Sequence, residues 1–289
     1  MASSFAVIVL SVALASLVAW AGGDGAAELM GVSVMGWCAA LAFVIQWMAF
    51  IPAYRLQSER FYDLTGSLTY IGVTVLAVAT TLPMDNRSAL LSLLIILWAG
   101  RLGSFLFRRI RAAGSDPRFD AIKPSARRFL VAWTLQGLWV FLTLCAALAA
   151  ITSIEPAPLG RLDLLGVLVW VSGFGIEVIA DRQKSAFRRE HPGRFIDRGL
   201  WAWSRHPNYF GEIVLWTGIA LIASSTLRGW QWATWVSPVF VALLLTRVSG
   251  IPILERRADQ RWEGDADYAS YKVSTPVLIP RRPKRAARR

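Results

Sequence analysis

Eight stretches of this chain are each long and apolar enough to cross a lipid bilayer, and no other property restricts its possible folds so severely. They fall near residues 5–22, 34–53, 66–82, 88–107, 129–151, 162–180, 209–227 and 232–250, against the roughly 20 predominantly apolar residues that one helical span requires. Hydrophobic residues make up 55% of the 289 and charged residues only 17%, where a soluble domain carries about a quarter charged. The fourth and eighth stretches contain an arginine, Arg101 and Arg247, the third is short, and the seventh has a polar start. The expected fold is therefore all-α: a polytopic transmembrane helix bundle of about eight spans, within a range of seven to nine, forming a single integral membrane domain over 1–289.

Basic residues set the expected orientation, because Lys and Arg accumulate on the cytoplasmic side. Seven lie between Arg108 and Arg128, seven between Arg182 and Arg205, and ten from Arg256 to Arg289, of 31 in the chain. The loops 22–33, 83–87, 152–161 and 228–231 hold only Arg87, Arg161 and Arg228. Alternating sides through eight spans places both termini in the cytoplasm. The net charge of +12 is thus explained by topology, and residues 281–289 read as a basic disordered tail lying on anionic membrane lipids. That tail has no aromatics among its charges, so no nucleic-acid partner is expected. The first apolar stretch lacks a basic n-region and exceeds the usual signal-peptide core, so it reads as a retained span. With 27 arginines against 4 lysines, the composition fits a GC-rich bacterial genome and hence a multi-pass protein of the bacterial inner membrane.

Cys38 and Cys145 lie within apolar stretches, and His191 and His206 are the two imidazoles, so neither a disulfide framework nor a metal site is expected. Gly173-Phe174-Gly175 sits inside a span and lacks the third glycine of a dinucleotide fingerprint. The tryptophans cluster near span ends, as at Trp201, Trp203, Trp230, Trp232 and Trp235, and most are expected to be interfacial anchors. Gly100 and Gly103, or Gly173 and Gly175, fit close helix packing.

Chemistry concentrates in two places. The run from Trp203 to Glu212 sets Arg205, His206, Asn208, Tyr209 and Glu212 at the start of an apolar helix, and polar groups at a bilayer edge are costly unless partnered. The sixth span ends in Glu177, Asp181, Lys184 and Arg188, spaced i, i+4, i+7 and i+11. A helix continuing through them aligns all four on one face, Glu177 deepest and Arg188 outermost. Carboxylates inside and a guanidinium outside suit a ligand with hydroxyl or amide groups at one end and phosphates at the other, and Arg247 adds a further guanidinium.

The run Glu177-x-x-x-Asp181-x-Gln183-Lys184-x-x-Phe187-Arg188, then Gly199-Leu200-Trp201-x-x-Ser204-Arg205-His206-Pro207-Asn208-Tyr209-x-Gly211-Glu212, with a closing Tyr-x-x-Tyr and Ile-Pro, resembles the C-terminal domain of the steroid 5-alpha-reductase-like membrane reductases, in their bacterial branch. The likeness covers about 165–280, which it marks as a cofactor-binding region. It implies an oxidoreductase acting on CH–CH donors, in which NADPH reduces a carbon–carbon double bond conjugated to a carbonyl in a lipid-like substrate. By position, Asp181, Arg188, Asn208, Glu212 and Arg247 resemble the family's cofactor contacts, and Glu177 stands where the steroid enzymes more often have Asn; Lys184, Arg205, His206 and Tyr209 complete the expected set. Negative charge develops on the carbonyl oxygen during hydride transfer, so a hydrogen-bond donor or proton is needed there. In the steroid enzymes a Glu and a Tyr on consecutive early spans supply it. Asp63 occupies roughly the place of that Glu, Trp98 stands in place of the Tyr, and Tyr70 offers a phenol instead.

The isoprenylcysteine and phospholipid methyltransferases share an Arg-His-Pro-x-Tyr-x-Gly motif and bind S-adenosylmethionine, which is the second reading. A non-enzymatic membrane protein that binds lipid or a partner is the third. Substrate identity and oligomeric state are not legible in the sequence.

Overall fold

A computed structural model describes residues 3–282. It is the expected all-α polytopic bundle. The first six helices are α1 (Ser4–Gly22), α2 (Val34–Arg55), α3 (Tyr62–Ala79), α4 (Asn86–Ala113), α5 (Ala126–Ile151) and α6 (Arg161–Glu190), each long and apolar enough to cross a membrane. Next comes α7 (Pro207–Ala223), whose 17 residues extend about 25 Å at 1.5 Å per residue, short of a ~30 Å hydrocarbon core. The seventh helix of spanning length, Gly229–Arg261, is interrupted: a 3₁₀ segment (Gly229–Trp235), α8 (Val236–Leu243), a π turn (Leu244–Val248) and α9 (Ile251–Arg261) follow one another. The short α10 (Ala266–Ser274) closes the described chain. Seven helices of spanning length and apolarity among the described residues lie at the lower end of the expected range; the segment near 209–227 is the one that fell short.

Local chemistry sets the helix boundaries. Ser3, Ser33 and Ser125 cap α1, α2 and α5 through their hydroxyls, and the Asp85 and Asp265 carboxylates each accept two backbone N–H groups at the starts of α4 and α10. Such caps satisfy donors that a helix start leaves orphaned. Pro207 opens α7, where its missing N–H costs nothing. Between α1 and α2, Glu28–Leu29 pairs with Val32–Ser33 in a small antiparallel hairpin, turned by Met30 and Gly31 at φ of 54° and 73°.

Within the membrane domain, contacts group into two compact units: the chain to Asp163 with Ala220–Ser237, and Leu164–Ile219 with the chain from Pro238. The second covers most of the 165–280 region. In the first, α5 is the central element and packs against α1, α2 and α3. Phe119, Phe129 and Trp133 form a buried aromatic cluster beside Tyr62, whose ring lies 5.0 Å from that of Trp133. Arg87, read from the sequence as a loop residue, is instead in the first turn of α4 and 1% exposed. Its guanidinium meets Asp163 at 2.9 Å through both Nε and Nη2, and donates to the carbonyls of Ala157 and Pro158 at 2.6 and 3.0 Å. The loop after α4 is tied by Glu59, which accepts from Asp116 N and Lys123 Nζ, both at 2.7 Å. Burial pushes the Glu59 carboxyl up, but the Lys123 ammonium and the Asp116 N–H outweigh it and hold it below the usual range.

The second unit explains its own glycines. A Cβ on Gly173 of α6 would lie 2.5 Å from Leu215 N and 2.6 Å from Gly211 O, and one on Gly218 of α7 would lie 2.7 Å from Gly166 O. The two helices therefore touch backbone to backbone. Gly175, by contrast, has open space where a Cβ would stand, as does Gly100, whereas Gly103 is crowded by Ser67. The sequence pointed to both members of each pair; one of each is a packing residue. Trp203, Trp230 and Trp232 are exposed as anchors would be, but Trp201 is a core residue, 3% exposed, with its indole N–H donating to Ala180 O at 3.0 Å. Of the expected basic tail 281–289, only Arg281 and Arg282 lie among the described residues.

Candidate functional site

The α6 helix runs unbroken through Glu177, Asp181, Lys184 and Arg188, so the spacing read from the sequence becomes one helical face. Burial falls along it: Glu177 is 2% and Asp181 7% exposed, Lys184 is half-buried and Arg188 exposed. Beside this face Phe187 is buried with Ala180, Ile196 and Trp201. Lys184 Nζ sits 4.2 Å from the centre of the Trp201 ring.

The glycine contacts between α6 and α7 bring the second motif alongside. Asn208 Nδ2 donates to Asp181 Oδ1 at 3.4 Å, and Glu212, one turn further along α7, is buried. The segment leading into α7 is held by the end of the chain. Ser204 Oγ donates to Leu278 O at 2.8 Å, Arg205 N to Pro276 O at 2.9 Å and Arg281 N to Trp203 O at 3.0 Å, while the Tyr271 hydroxyl donates to Trp201 O at 2.7 Å. Tyr271 of the Tyr-x-x-Tyr element and residues 276–281 around the Ile-Pro element thus clamp residues 201–205.

Two side chains of that segment meet a residue that no sequence pattern flagged. Glu255 of α9 pairs with the Arg205 guanidinium through one oxygen and with His206 Nε2 through the other, the latter at 2.8 Å. Burial holds the His206 imidazole below its usual range; the Glu255 carboxylate opposes this, and Lys184 and Arg205 reinforce it. Since a carboxylate can only accept, the hydrogen bond between them has His206 Nε2–H as its donor. His206 also stacks on Tyr209 at 5.7 Å between ring centres. Arg205 Nε and His206 Nδ1 are buried and have no hydrogen-bond partner among the described residues. Arg247 lies on the π turn, exposed and without an ion pair among the described residues.

Asp63 and Tyr70 belong to the first unit. Asp63, in the first turn of α3, lies 3.7 Å from Arg109 with its side chain 22% exposed. Tyr70, two turns on, is buried with its ring 5.0 Å from that of Trp98, edge to face. The residue that stands in for the family Tyr and the phenol offered in its place are thus in contact. A cavity of about 530 Å³ in the second unit is lined by Arg194, Arg198, Trp262 and Tyr271 among others, and by none of the site residues read from the sequence.

A multi-pass helical membrane protein whose helices α6 and α7 bring an acid–amide pair, Asp181 and Asn208, close in sequence to an acid–imidazole pair, Glu255 and His206, is the class that fold and site define. Residues 49–275 match the family described as Protein of unknown function (DUF1295), and the chain belongs to that family, which is steroid 5-alpha-reductase-like. An uncharacterized protein of Schizosaccharomyces pombe is 26% identical over 200 residues, 57% of each chain. Steroid 5-alpha-reductase DET2 of Arabidopsis thaliana is 33% identical over 72 residues, 24% of this chain and 25% of its own. The chain thus matches little more than half the length of the first relative and a quarter of the second. No solved structure matches it.

Proposed function

We propose that this protein is a membrane reductase that uses NADPH to reduce a carbon–carbon double bond conjugated to a carbonyl in a lipid-like substrate, at the bacterial inner membrane. The observation that carries the reading is the graded face of α6 beside Asn208 and Glu212: buried carboxylates and a half-buried amide at one end, Lys184 and exposed Arg188 at the other. The local likeness to a plant steroid 5-alpha-reductase supports it. The residues fit such a cofactor, since Arg205 Nε and His206 Nδ1 are buried polar atoms still lacking a partner, and buried polar groups in proteins are rarely left so.

In this reading Glu177, Asp181, Asn208, Tyr209 and Glu212 hold the hydroxyl and amide groups, and Arg188, Lys184 and Arg247 hold the phosphates. When bound, the cofactor supplies the hydride. The chain's own task is to stabilise the developing oxyanion and deliver a proton, which falls to Asp63 or to the Tyr70 phenol. Purified protein in nanodiscs supplied with a panel of enone and enoyl lipids tests this. At least one substrate should drive NADPH oxidation with stoichiometric saturation of the conjugated bond. Methyl transfer from S-adenosylmethionine to a lipid, with no NADPH oxidation, would replace the reading with the methyltransferase.

A further inference from the structure

Glu255 sits between two neighbours that the ligand site needs. One oxygen pairs with Arg205 Nη1, the other with His206 Nε2, and these bonds leave Arg205 Nε–H and the His206 Nδ1 lone pair as the buried atoms still available. We propose that Glu255 is a positioning residue: it neutralises Arg205 and fixes the His206 tautomer, so that the two side chains present a neighbouring N–H donor and lone-pair acceptor to a hydroxyl or primary amide of the ligand, not to a phosphate. The ligand part rests on the reductase reading; the positioning part does not.

Charge decides against phosphate. The Arg205 and Glu255 side chains are 12% and 21% exposed, so their pairing is little screened, and a phosphate drawn to Arg205 would lie beside the Glu255 carboxylate. Lys272, 3.9 Å from Glu255, is itself 2.5 Å from Asp259, so it does not release Arg205. Rigidity supports the assignment as well. Arg205 N is fixed to Pro276 O, His206 N to Ser204 Oγ at 3.1 Å, and the imidazole lies against Tyr209 at an interplanar angle of 11°. The charged groups facing His206 are Glu255, Arg205 and Lys184, with the Tyr209 ring stacked on it, and among the charged groups Glu255 alone can accept a hydrogen bond from Nε2–H. A donor and an acceptor on one rigid loop match a group that both accepts and donates, which is the pattern of a sugar hydroxyl or a carboxamide and not of a phosphate oxygen.

The chain has two histidines, so ring-nitrogen NMR of ¹⁵N-histidine protein in detergent, assigned with His191→Gln, reads the tautomer directly. At pH 7 His206 should show a protonated Nε2 and a bare Nδ1, and Glu255→Gln should redistribute that proton. A proton on Nδ1 in the wild type, or a spectrum indifferent to Glu255→Gln, overturns the proposal; the wild-type spectrum suffices if the variant does not fold. For the ligand, NADPH should shift the His206 Nδ1 resonance, and Arg205→Gln and Glu255→Gln should weaken NADPH roughly 3–10-fold, the scale of one or two neutral hydrogen bonds, equally at low and high salt. A shift with 2′,5′-ADP as well assigns a hydroxyl of the adenosine half, and a shift with NADPH alone assigns the nicotinamide riboside half. A loss on Arg205→Gln that shrinks steeply with salt makes Arg205 a phosphate clamp and refutes the proposal. Wild type that binds no NADPH refutes the reductase reading, and the tautomer result then stands by itself.

Discussion

Replacing Gly173 with alanine should pry apart the two helices that build the site. The new methyl would stand 2.5 Å from Leu215 N, about 0.9 Å inside the 3.4 Å at which ordinary contact begins. The obstacle is backbone, so no side chain can swing away to relieve it. Overpacking of this kind costs about 1–3 kcal/mol, which at about 2–4 °C per kcal/mol lowers the melting temperature by roughly 2–12 °C. The shift also opens the Asn208–Asp181 bond, already 3.4 Å long, so NADPH affinity should fall by roughly tenfold or more, the consequence of misplacing binding groups by nearly 1 Å. Gly175→Ala is the matched control. It lies on the same helix with nothing within 4 Å of the added carbon, and Gly→Ala inside a helix gains roughly 0.5–1 kcal/mol. Thermal unfolding in detergent and NADPH titration of the two variants side by side decide the matter. Equal melting temperatures, or a destabilised Gly173→Ala that binds NADPH as wild type does, would refute the reasoning.

Three further outcomes are expected. Asp63→Asn should leave NADPH affinity within a few fold and lower kcat by ~10²-fold or more, the scale for a lost general acid; unchanged turnover on the true substrate removes Asp63 from the site. Asp163→Asn strands the Arg87 guanidinium in a buried setting and should cost about 3–5 kcal/mol in thermal unfolding, whereas the double variant Arg87→Met/Asp163→Leu should recover most of it; a double variant as unstable as the single contradicts this. His206, held below its ordinary pKa by burial, binds fewer protons folded than unfolded. Its contribution is therefore present above the unfolded value of about 6.5 and lost as pH falls through the folded one. Melting temperature should drop on acidification from about pH 7 to 5, and His206→Gln should flatten that slope; an unchanged slope places the titration elsewhere.

Much of this fold was legible because bilayer physics constrains composition. The apolar runs gave α1 to α6 to within a few residues, except that α4 continues six residues past the run that ended at 107 and α6 carries its charged face ten residues beyond the run that ended at 180. That extension was itself readable, since Glu177, Asp181, Lys184 and Arg188 share a face only on a continuing helix. Apolarity said less about α7, because it measures transfer to lipid and not length, and it passed over the π turn that carries Arg247. Pairings at long separation had no local signal: Arg87 finds Asp163 across 76 residues and His206 finds Glu255 across 49. Nothing in the spacing marked Glu255 as the partner of Arg205 and His206. Asp63 and Tyr70 were named through a resemblance, and the contact between Tyr70 and Trp98 depends on the packing of α3 against α4, which the sequence does not encode locally.

The central claim is that the face formed by α6 and α7 receives NADPH, and ligand-dependent melting of the purified protein tests it most directly. Ligand at 100 times its Kd stabilises a protein by about 2.7 kcal/mol, enough to move the melting curve visibly. NADPH should raise the melting temperature, NADH should raise it less, and S-adenosylmethionine should leave it in place. Asp181→Ala, which removes the acceptor of the Asn208 amide, should shrink the NADPH shift. A rise with S-adenosylmethionine and none with NADPH would contradict the account in favour of a methyltransferase, and a curve indifferent to all three would contradict it in favour of a protein that binds lipid or a partner without catalysis.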